Sequence, residues 1–234
     1  MEQPKSKTND AKQVFKDSGT CSRTFFHILN REFNHQKVSE EAASDPLAGG
    51  LMQKGHQCGM LWGATLAVGV EAYHRCKNTD EAIVLAIKAA KHLNESFIKT
   101  ADTVNCRDIT KCNLDSFFGM TKFMIKTQIQ GMDNSTCFIL AEKWAPKAIE
   151  SAKMGLTKQE TKESKQVLSC ASEVVKKMGG NEEEMVIVSG FAGGLGLSGN
   201  ACGALSAAVW MNSLKWSKEH PGKSAWSNPD AKKT

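Results

Sequence analysis

The feature that most constrains this chain is an internal repeat built around two glycine-rich loops. Residues 48–51 and residues 192–195 both read Ala-Gly-Gly-Leu, and the match continues downstream without a gap. Upstream of each loop, a cysteine heads an amphipathic segment, Cys21 in the first copy and Cys170 in the second. Self-similarity of this kind predicts two related structural units. In this alignment of the two copies, the matching positions are Gly49 with Gly193, Gly50 with Gly194, Gly55 with Gly199, and Cys58-Gly59 with Cys202-Gly203.

The glycines of each loop allow a tight turn and a close approach of the backbone to another group. The Cys-Gly pair that follows falls at a predicted helix start, where free amides and the helix dipole stabilise a thiolate. We therefore expect Gly49, Gly50, Gly55 and Gly59 to contact a bound cofactor, with Gly193 and Gly194 as their equivalents in the second copy. A helix-packing element that uses cysteine only as a small apolar residue is the alternative.

The residue pattern predicts an all-α fold, a compact multi-helix bundle containing the repeat. Ala, Lys, Leu, Glu and Met, which favour helices, together make up a large share of the chain, and no alternating strand pattern occurs. The small-residue segment 58–75 predicts a central, buried helix. The predicted organisation is a disordered tail at 1–11, a first unit with the full cysteine set at 12–156, a partial second unit at 157–219 and a flexible tail at 220–234.

Three local predictions concern the ends of elements. Thr79 is the expected N-cap of a helix that reaches Ile98. The polar stretch 105–113 is expected to form a turn. A further helix is expected to run from Lys158 to Met178 and to stop at the glycines that follow.

Eight cysteines point to metal ligation or thiol chemistry. The first residues lack the apolar stretch of a signal peptide, so the expected location is the cytoplasm, where disulfides are rare. The second copy has no cysteine after Cys202, so a full ligand set is expected only in the first copy. The cysteines are Cys21, Cys58, Cys76, Cys106, Cys112, Cys137, Cys170 and Cys202.

Charge and motifs argue against several partners. The net charge is +5, but much of the excess lies near the two ends, and lysine alternates with glutamate elsewhere. Solvated helix faces explain this pattern, so neither nucleic acid nor a membrane is an expected partner. The glycine loops lack the strand context and the lysine of nucleotide-binding motifs.

Several motifs resemble a known family. The second copy reads Gly-Phe-Ala-Gly-Gly at 190–194 and then Cys-Gly-Ala at 202–204, and the first copy reads Cys-Gly-Met-Leu-Trp-Gly at 58–63. Asn-Cys-Arg at 105–107 leads to Cys112, and Cys137 precedes Pro-Lys at 146–147.

Together these motifs resemble the redox-active proteins named for their C-GCAxxG-C-C motif, a domain also found in split-Soret cytochrome c. The resemblance spans about residues 20–152, with a partial second unit at 165–215, and implies a redox role. A covalent c-type haem is not expected, because the chain has no Cys-x-x-Cys-His.

Four thiolates are the usual ligands of [2Fe–2S] and [4Fe–4S] clusters, so an iron–sulfur cluster is the expected cofactor. The predicted ligands are Cys58, Cys106, Cys112 and Cys137, with Cys21 and His56 in reserve. Cys76 is the weakest candidate, because it lies about 27 Å from Cys58 along a helix of 1.5 Å rise per residue.

Three alternatives stay open at this point. The first is a metal-free thiol–disulfide oxidoreductase that pairs Cys106 with Cys112 or Cys58 with Cys21. The second is a zinc site made by the same thiolates. The third is a helical scaffold whose glycine loops bind a small molecule. The sequence leaves open whether the chain is an enzyme or a redox accessory protein. A redox partner protein and a homodimer are the expected associations.

Overall fold

The computed structural model describes residues 10–157 and 169–228, and within them the chain forms eleven α-helices and no β-strand. The all-α prediction is confirmed. The helices are α1 Ala11–Ser18, α2 Cys21–Glu32, α3 Val38–Ala43, α4 Gly59–Arg75, α5 Thr79–Ala101, α6 Cys106–Thr110, α7 Phe117–Gln130, α8 Thr136–Gly155, α9 Cys170–Lys177, α10 Glu182–Ile187 and α11 Gly203–Glu219. Short 3₁₀ turns lie at Asp45–Leu47, Met132–Asn134, Ser189–Phe191 and Ala225–Ser227.

Some predicted segments lie outside the described residues. These are the N-terminal tail up to residue 9, the part of the expected 158–178 helix that precedes residue 169, and the C-terminal tail from residue 229. The described residues next to them are packed: Ala11 and Ala225 are both buried. No helix among the described residues combines the length and the apolar character that crossing a membrane requires.

The repeat seen in the sequence recurs as a repeat of elements. Helices α2, α3 and α4 enclose one 3₁₀ turn and one glycine loop, and α9, α10 and α11 follow the same order. Cys21 and Cys170 are the first residues of α2 and α9, while Cys58 and Cys202 are the N-caps of α4 and α11. Buried side chains of both copies belong to one hydrophobic core.

Helix α4 lies at the centre, as its small residues predict. A Cβ at Gly63 would lie 1.9 Å from the carbonyl oxygen of Ser22, and one at Gly69 would lie 2.4 Å from that of Ile187. These glycines therefore let α2 and α10 approach the backbone of α4 more closely than any larger residue would allow.

Each glycine loop contains a left-handed turn. All five residues at 49–53 have positive φ, and so do all five at 193–197. For residues other than glycine this conformation costs roughly 1–2 kcal/mol each, so both loops carry backbone strain. In the first loop the amides of Gly55 and His56 donate to the carbonyls of Gly49 and Gly50, which fixes the turn.

Three local predictions need correction. The N-cap of α5 is Asn78, whose side chain accepts from the amide of Glu81, and Thr79 is the first helical residue. The expected turn at 105–113 contains the short helix α6. The helix expected from Lys158 begins, within the described residues, only at Cys170, where the hydroxyl of Ser169 caps it.

Candidate functional site

Four cysteines from distant parts of the chain converge on one region. Cys21 and Cys58 begin the first repeat's two long helices, Cys106 is the first residue of α6, and Cys137 is the second residue of α8. Each of the other three thiols lies within electrostatic range of Cys21. All are free thiols in the structure.

Backbone hydrogen bonds place Cys106 beside Cys58. The amide of Cys58 donates to the carbonyl oxygen of Val104 at 2.7 Å. The amide of Cys106 donates to the carbonyl oxygen of His56, also at 2.7 Å. Gln57 and Asn105 form an isolated antiparallel β-bridge between these bonds. The glycine loop is thus tied directly to the segment that carries Cys106.

Cys21 and Cys58 are in direct contact. The thiol of Cys58 donates a hydrogen bond to the sulfur of Cys21, which also accepts from the backbone amides of Gly49, Cys21 and Ser22. The bond from Cys58, aided by these amides, lowers the pKa of Cys21 below its ordinary value although burial opposes the shift. Among the four converging cysteines, Cys21 therefore has the thiol that ionises most readily.

The other three thiols are held protonated. Donation to Cys21, burial and nearby negative sulfur raise the pKa of Cys58 well above its ordinary value. Burial first, then the charge of Cys21, raises the pKa of Cys137 to about 12, and Lys126 of α7 opposes this shift. Burial likewise raises the pKa of Cys106. Ionising all four thiols together would therefore require a positively charged group between them.

A cavity of about 500 Å³ opens next to these sulfurs, and Cys21, Cys106 and Cys137 line it. Its other walls are mainly apolar, and helix α7 forms one side. The wall residues include Phe15, Ala48, Gly49, Leu114, Met120, Phe123, Phe138 and Trp226. Phe15 and Phe138 stack with their ring centroids 4.4 Å apart, which fixes the start of α8 against α1.

Three predicted ligands lie outside this cavity's lining, namely Cys58, Cys112 and His56. Even so, Cys58 contacts Cys21, and Cys112 lies within electrostatic range of Cys106 and Cys137. Cys112 is buried under α7 in a small cluster with Cys106 and Leu114. The imidazole of His56 is exposed and lines a different cavity, so His56 contributes its backbone to this site. Cys76 caps the C-terminal end of α4, opposite Cys58, as its position in the sequence predicts.

The four glycines of the first copy do different things. Gly49 donates its amide to Cys21. A Cβ at Gly59 would lie 2.5 Å from the sulfur of Cys21, so the absence of a side chain there leaves room for the thiol pair. Gly50 packs against the backbone of His56 and Gly55 against the side chain of Arg107, so these two support the loop.

The second copy does not reproduce the site. Cys170 and Cys202 are both exposed. At the position of Gly63 the second copy has Ala207, which is fully buried. Since even a Cβ at Gly63 would overlap Ser22, the extra methyl group keeps α9 from approaching α11 as closely as α2 approaches α4.

One feature of the site was missed from the sequence. Trp226, in the segment predicted to be flexible, reaches the cavity wall. It is anchored because the hydroxyl of Ser224 donates to Asp45 at 2.6 Å, while Thr20, the residue before Cys21, donates to the same carboxylate at 2.8 Å. The signal available in the sequence was a large aromatic residue within a polar segment.

Within residues 10–157 and 169–228, no three His, Cys, Asp or Glu side chains are grouped closely enough to hold a single metal ion. The helical fold thus gathers four cysteines in one region, three of them on one cavity, and defines a protein with a cysteine-centred site.

The chain belongs to the family described as "Putative redox-active protein (C_GCAxxG_C_C)", which matches residues 20–151 and, a second time, residues 162–234. This family membership confirms the resemblance and the redox role. No curated protein and no solved structure matches the chain.

Proposed function

We propose that this protein is an electron-transfer protein that binds an iron–sulfur cluster through Cys21, Cys58, Cys106 and Cys137. The observation that carries the proposal is the convergence of these four thiols from four separate segments: Cys21, Cys106 and Cys137 line one cavity, and Cys58 contacts Cys21. Four cysteine thiolates are the usual ligand set of such clusters. Compared with the set expected from the sequence, Cys21 replaces Cys112.

The chemistry of the site fits a cluster. Sulfur donors favour iron–sulfur clusters and zinc over hard cations. A cluster contains several metal atoms, so its thiolates need not meet around one ion. The N-termini of α2, α4 and α8 lie at Cys21, Cys58 and Cys137, where the helix dipoles favour negative charge. When bound, a cluster would supply reversible one-electron transfer.

The protein's own groups would then set the properties of the site. The amides of Gly49 and Ser22 donate to the sulfur of Cys21, and such hydrogen bonds raise the reduction potential of a cluster. Phe15, Phe123 and Trp226 line the cavity and limit the access of water.

A metal-free thiol–disulfide exchange function is the second candidate, and the contact between Cys21 and Cys58 favours it. The Cys21 thiolate would attack an acceptor disulfide, forming a mixed disulfide and releasing one acceptor thiolate. Cys58, after losing its proton, would attack the Cys21 sulfur, forming the Cys21–Cys58 disulfide and releasing the second acceptor thiolate. The acceptor gains two electrons and the protein loses two.

Metal and sulfide analysis of protein purified without oxygen distinguishes these candidates. We expect iron and acid-labile sulfide in the unmodified chain, with absorbance near 400–450 nm as is usual for thiolate-bound clusters. Cys21→Ser, Cys106→Ser and Cys137→Ser should each lose most of the iron. Cys76→Ser and Cys170→Ser are matched controls that should keep it.

The alternatives give different results. Stoichiometric zinc without sulfide would support a zinc site. Metal-free protein that forms a Cys21–Cys58 disulfide under mild oxidation would support thiol exchange. Loss of iron in Cys112→Ser, with iron kept in Cys21→Ser, would restore the ligand set expected from the sequence.

A further inference from the structure

Helix α7 presents a bare apolar face to solvent. None of its residues is buried. Phe117, Phe118 and Ile129 are 81%, 83% and 81% exposed, and Met124 and Ile125 are also exposed. At 100° per residue these five positions form one continuous stripe along the helix. We refer to this stripe as the outer face of α7.

The opposite face of α7 is already occupied. Met120 and Phe123 pack against the cluster of Cys106, Cys112 and Leu114, and both line the cysteine cavity. Helix α7 therefore covers the cysteine site with one apolar face and exposes a second apolar face to solvent.

The rest of this sequence offers little to cover the outer face. Residues 1–9, 158–168 and 229–234, which lie outside the described part, contain few large apolar residues. Those few are Met1, Val167 and Leu168. An amphipathic segment that could dock against two phenylalanines and two isoleucines does not occur in them.

The size and composition of the outer face suit a second copy of the chain. Met132, next to the end of α7, is exposed as well. With roughly 200 Å² for each large apolar side chain, the exposed fractions of these six side chains correspond to about 800 Å² of apolar surface. That is the area each partner contributes to a standard interface, and it exceeds the largest apolar patch of a typical monomer. Homodimer interfaces are also more apolar than transient ones, and only Thr121 and Gln128 interrupt this stripe.

A lipid surface fits less well. A helix that lies in a membrane interface carries a strongly charged face opposite its apolar one. On α7 the face opposite the outer face carries Met120 and Phe123. Lys122 and Lys126 are the only charged residues of this helix.

We propose that the outer face of α7 is the interface of a two-fold symmetric homodimer, in which two α7 helices pack antiparallel. Each α7 is then held in place over the cavity that Cys21, Cys106 and Cys137 line in its own copy. A two-fold interface uses the same patch on both copies. Phe118 and Ile129 lie equally far from the midpoint of α7, so Phe118 of one copy packs against the partner's Ile129. The outer face of α7 in each copy thereby covers the outer face of α7 in its partner.

The test is the oligomeric state of the full-length chain, measured by sedimentation velocity at low micromolar concentration. We expect a dimer. The double substitution Phe118→Glu with Ile129→Glu should raise the dimer dissociation constant at least about 100-fold, because each interface would bury unpaired carboxylates. The matched control is Val38→Glu with Leu197→Glu, which places the same charges at exposed apolar positions elsewhere and should remain dimeric.

Circular dichroism checks that both double variants keep the helical content of the unmodified chain, which we expect because all four side chains are exposed. A monomeric unmodified chain would overturn the proposal, and so would a dimer that survives in the α7 variant. Flotation of a monomeric chain with vesicles of anionic lipid, lost in the α7 variant, would assign the face to a membrane instead. Neither readout requires a bound cofactor, so this test is independent of the proposed function.

Discussion

The thiol of Cys58 donates a hydrogen bond to the sulfur of Cys21, and this contact joins the N-termini of two different helices. It exists because Gly59 and Gly63 leave no side chain between α4 and the start of α2. The Cys-Gly-x-x-x-Gly sequence at 58–63 is therefore a device for bringing a distant cysteine to the start of α4.

The first prediction concerns Gly59. Gly59→Ala would place a Cβ 2.5 Å from the sulfur of Cys21 and 3.0 Å from the Cα of Ala48. We expect it to separate the thiol pair, abolish iron binding and lower the free energy of unfolding by about 1–3 kcal/mol. The measurements are chemical denaturation and iron content.

Gly203→Ala is the control for Gly59→Ala. Its Cβ would lie 2.0 Å from the carbonyl oxygen of Phe191, so it should destabilise the fold to a similar degree and keep the iron. Equal iron loss in both variants would show that the effect at Gly59 is only a loss of stability.

The second prediction concerns the reactivity of Cys21 after metal removal by chelation under reducing conditions. Cys58→Ala removes the main donor to Cys21, so the pKa of Cys21 should rise and its alkylation by iodoacetamide at pH 7 should slow several-fold. Mass spectrometry of the labelled peptide gives the rate. Cys58→Ser keeps a donor and should slow the reaction less, and Cys202→Ala should leave it unchanged. An unchanged rate in Cys58→Ala would contradict the hydrogen bond.

The third prediction concerns the pH dependence of stability through Asp45. Burial raises the pKa of this carboxyl, although Ser224 and Thr20 donate to it. A group with a raised folded-state pKa stabilises the fold below its unfolded pKa, and this stabilisation disappears as the pH rises through the folded value.

Asp45→Asn keeps hydrogen-bonding groups at this position without a charge. Relative to this variant, the unmodified chain should therefore lose stability as the pH rises from about 4 toward neutrality. Urea denaturation at a series of pH values measures the difference between the two proteins. A difference that is constant with pH would contradict the raised pKa of Asp45.

The fourth prediction concerns the end of α5. Asp102 is exposed and occupies the left-handed region with φ 62° at the helix C-cap. Asp102→Gly should raise the free energy of unfolding by about 0.5–1 kcal/mol, because glycine adopts this conformation without strain. Asp102→Ala should bring no such gain. Thermal denaturation compares the two, and equal stability of the variants would contradict the argument from strain.

Much of the fold could be predicted because local patterns determine it. The small-residue segment 58–75 and the helix expected to reach Ile98 agree with α4 and α5 within a few residues, and the Ala-Gly-Gly-Leu match revealed the repeat of elements. The left-handed turn at 49–53 could not be predicted in the same way. Leu51, Met52 and Gln53 avoid this conformation individually, and only the bonds and packing around them impose it.

The candidate site was less predictable, because it depends on contacts between distant segments. The ligand set expected from the sequence included Cys112, which lies six residues after Cys106, and kept Cys21 in reserve. The structure packs Cys112 under α7 and places Cys21 against Cys58. Trp226 reaches the cavity only because Asp45 anchors Ser224, a contact for which the sequence pattern gives no signal.

The most direct test of the central claim is iron K-edge X-ray absorption on the full-length chain, reconstituted with iron and sulfide without oxygen. We expect an iron coordination shell made only of sulfur, with iron–iron scattering from neighbouring metal atoms. Cys137→Ser should lose this signal, and Cys202→Ser should keep it. Iron surrounded by nitrogen and oxygen, or the same sulfur-only signal in Cys137→Ser, would contradict a cluster held by the four converging cysteines.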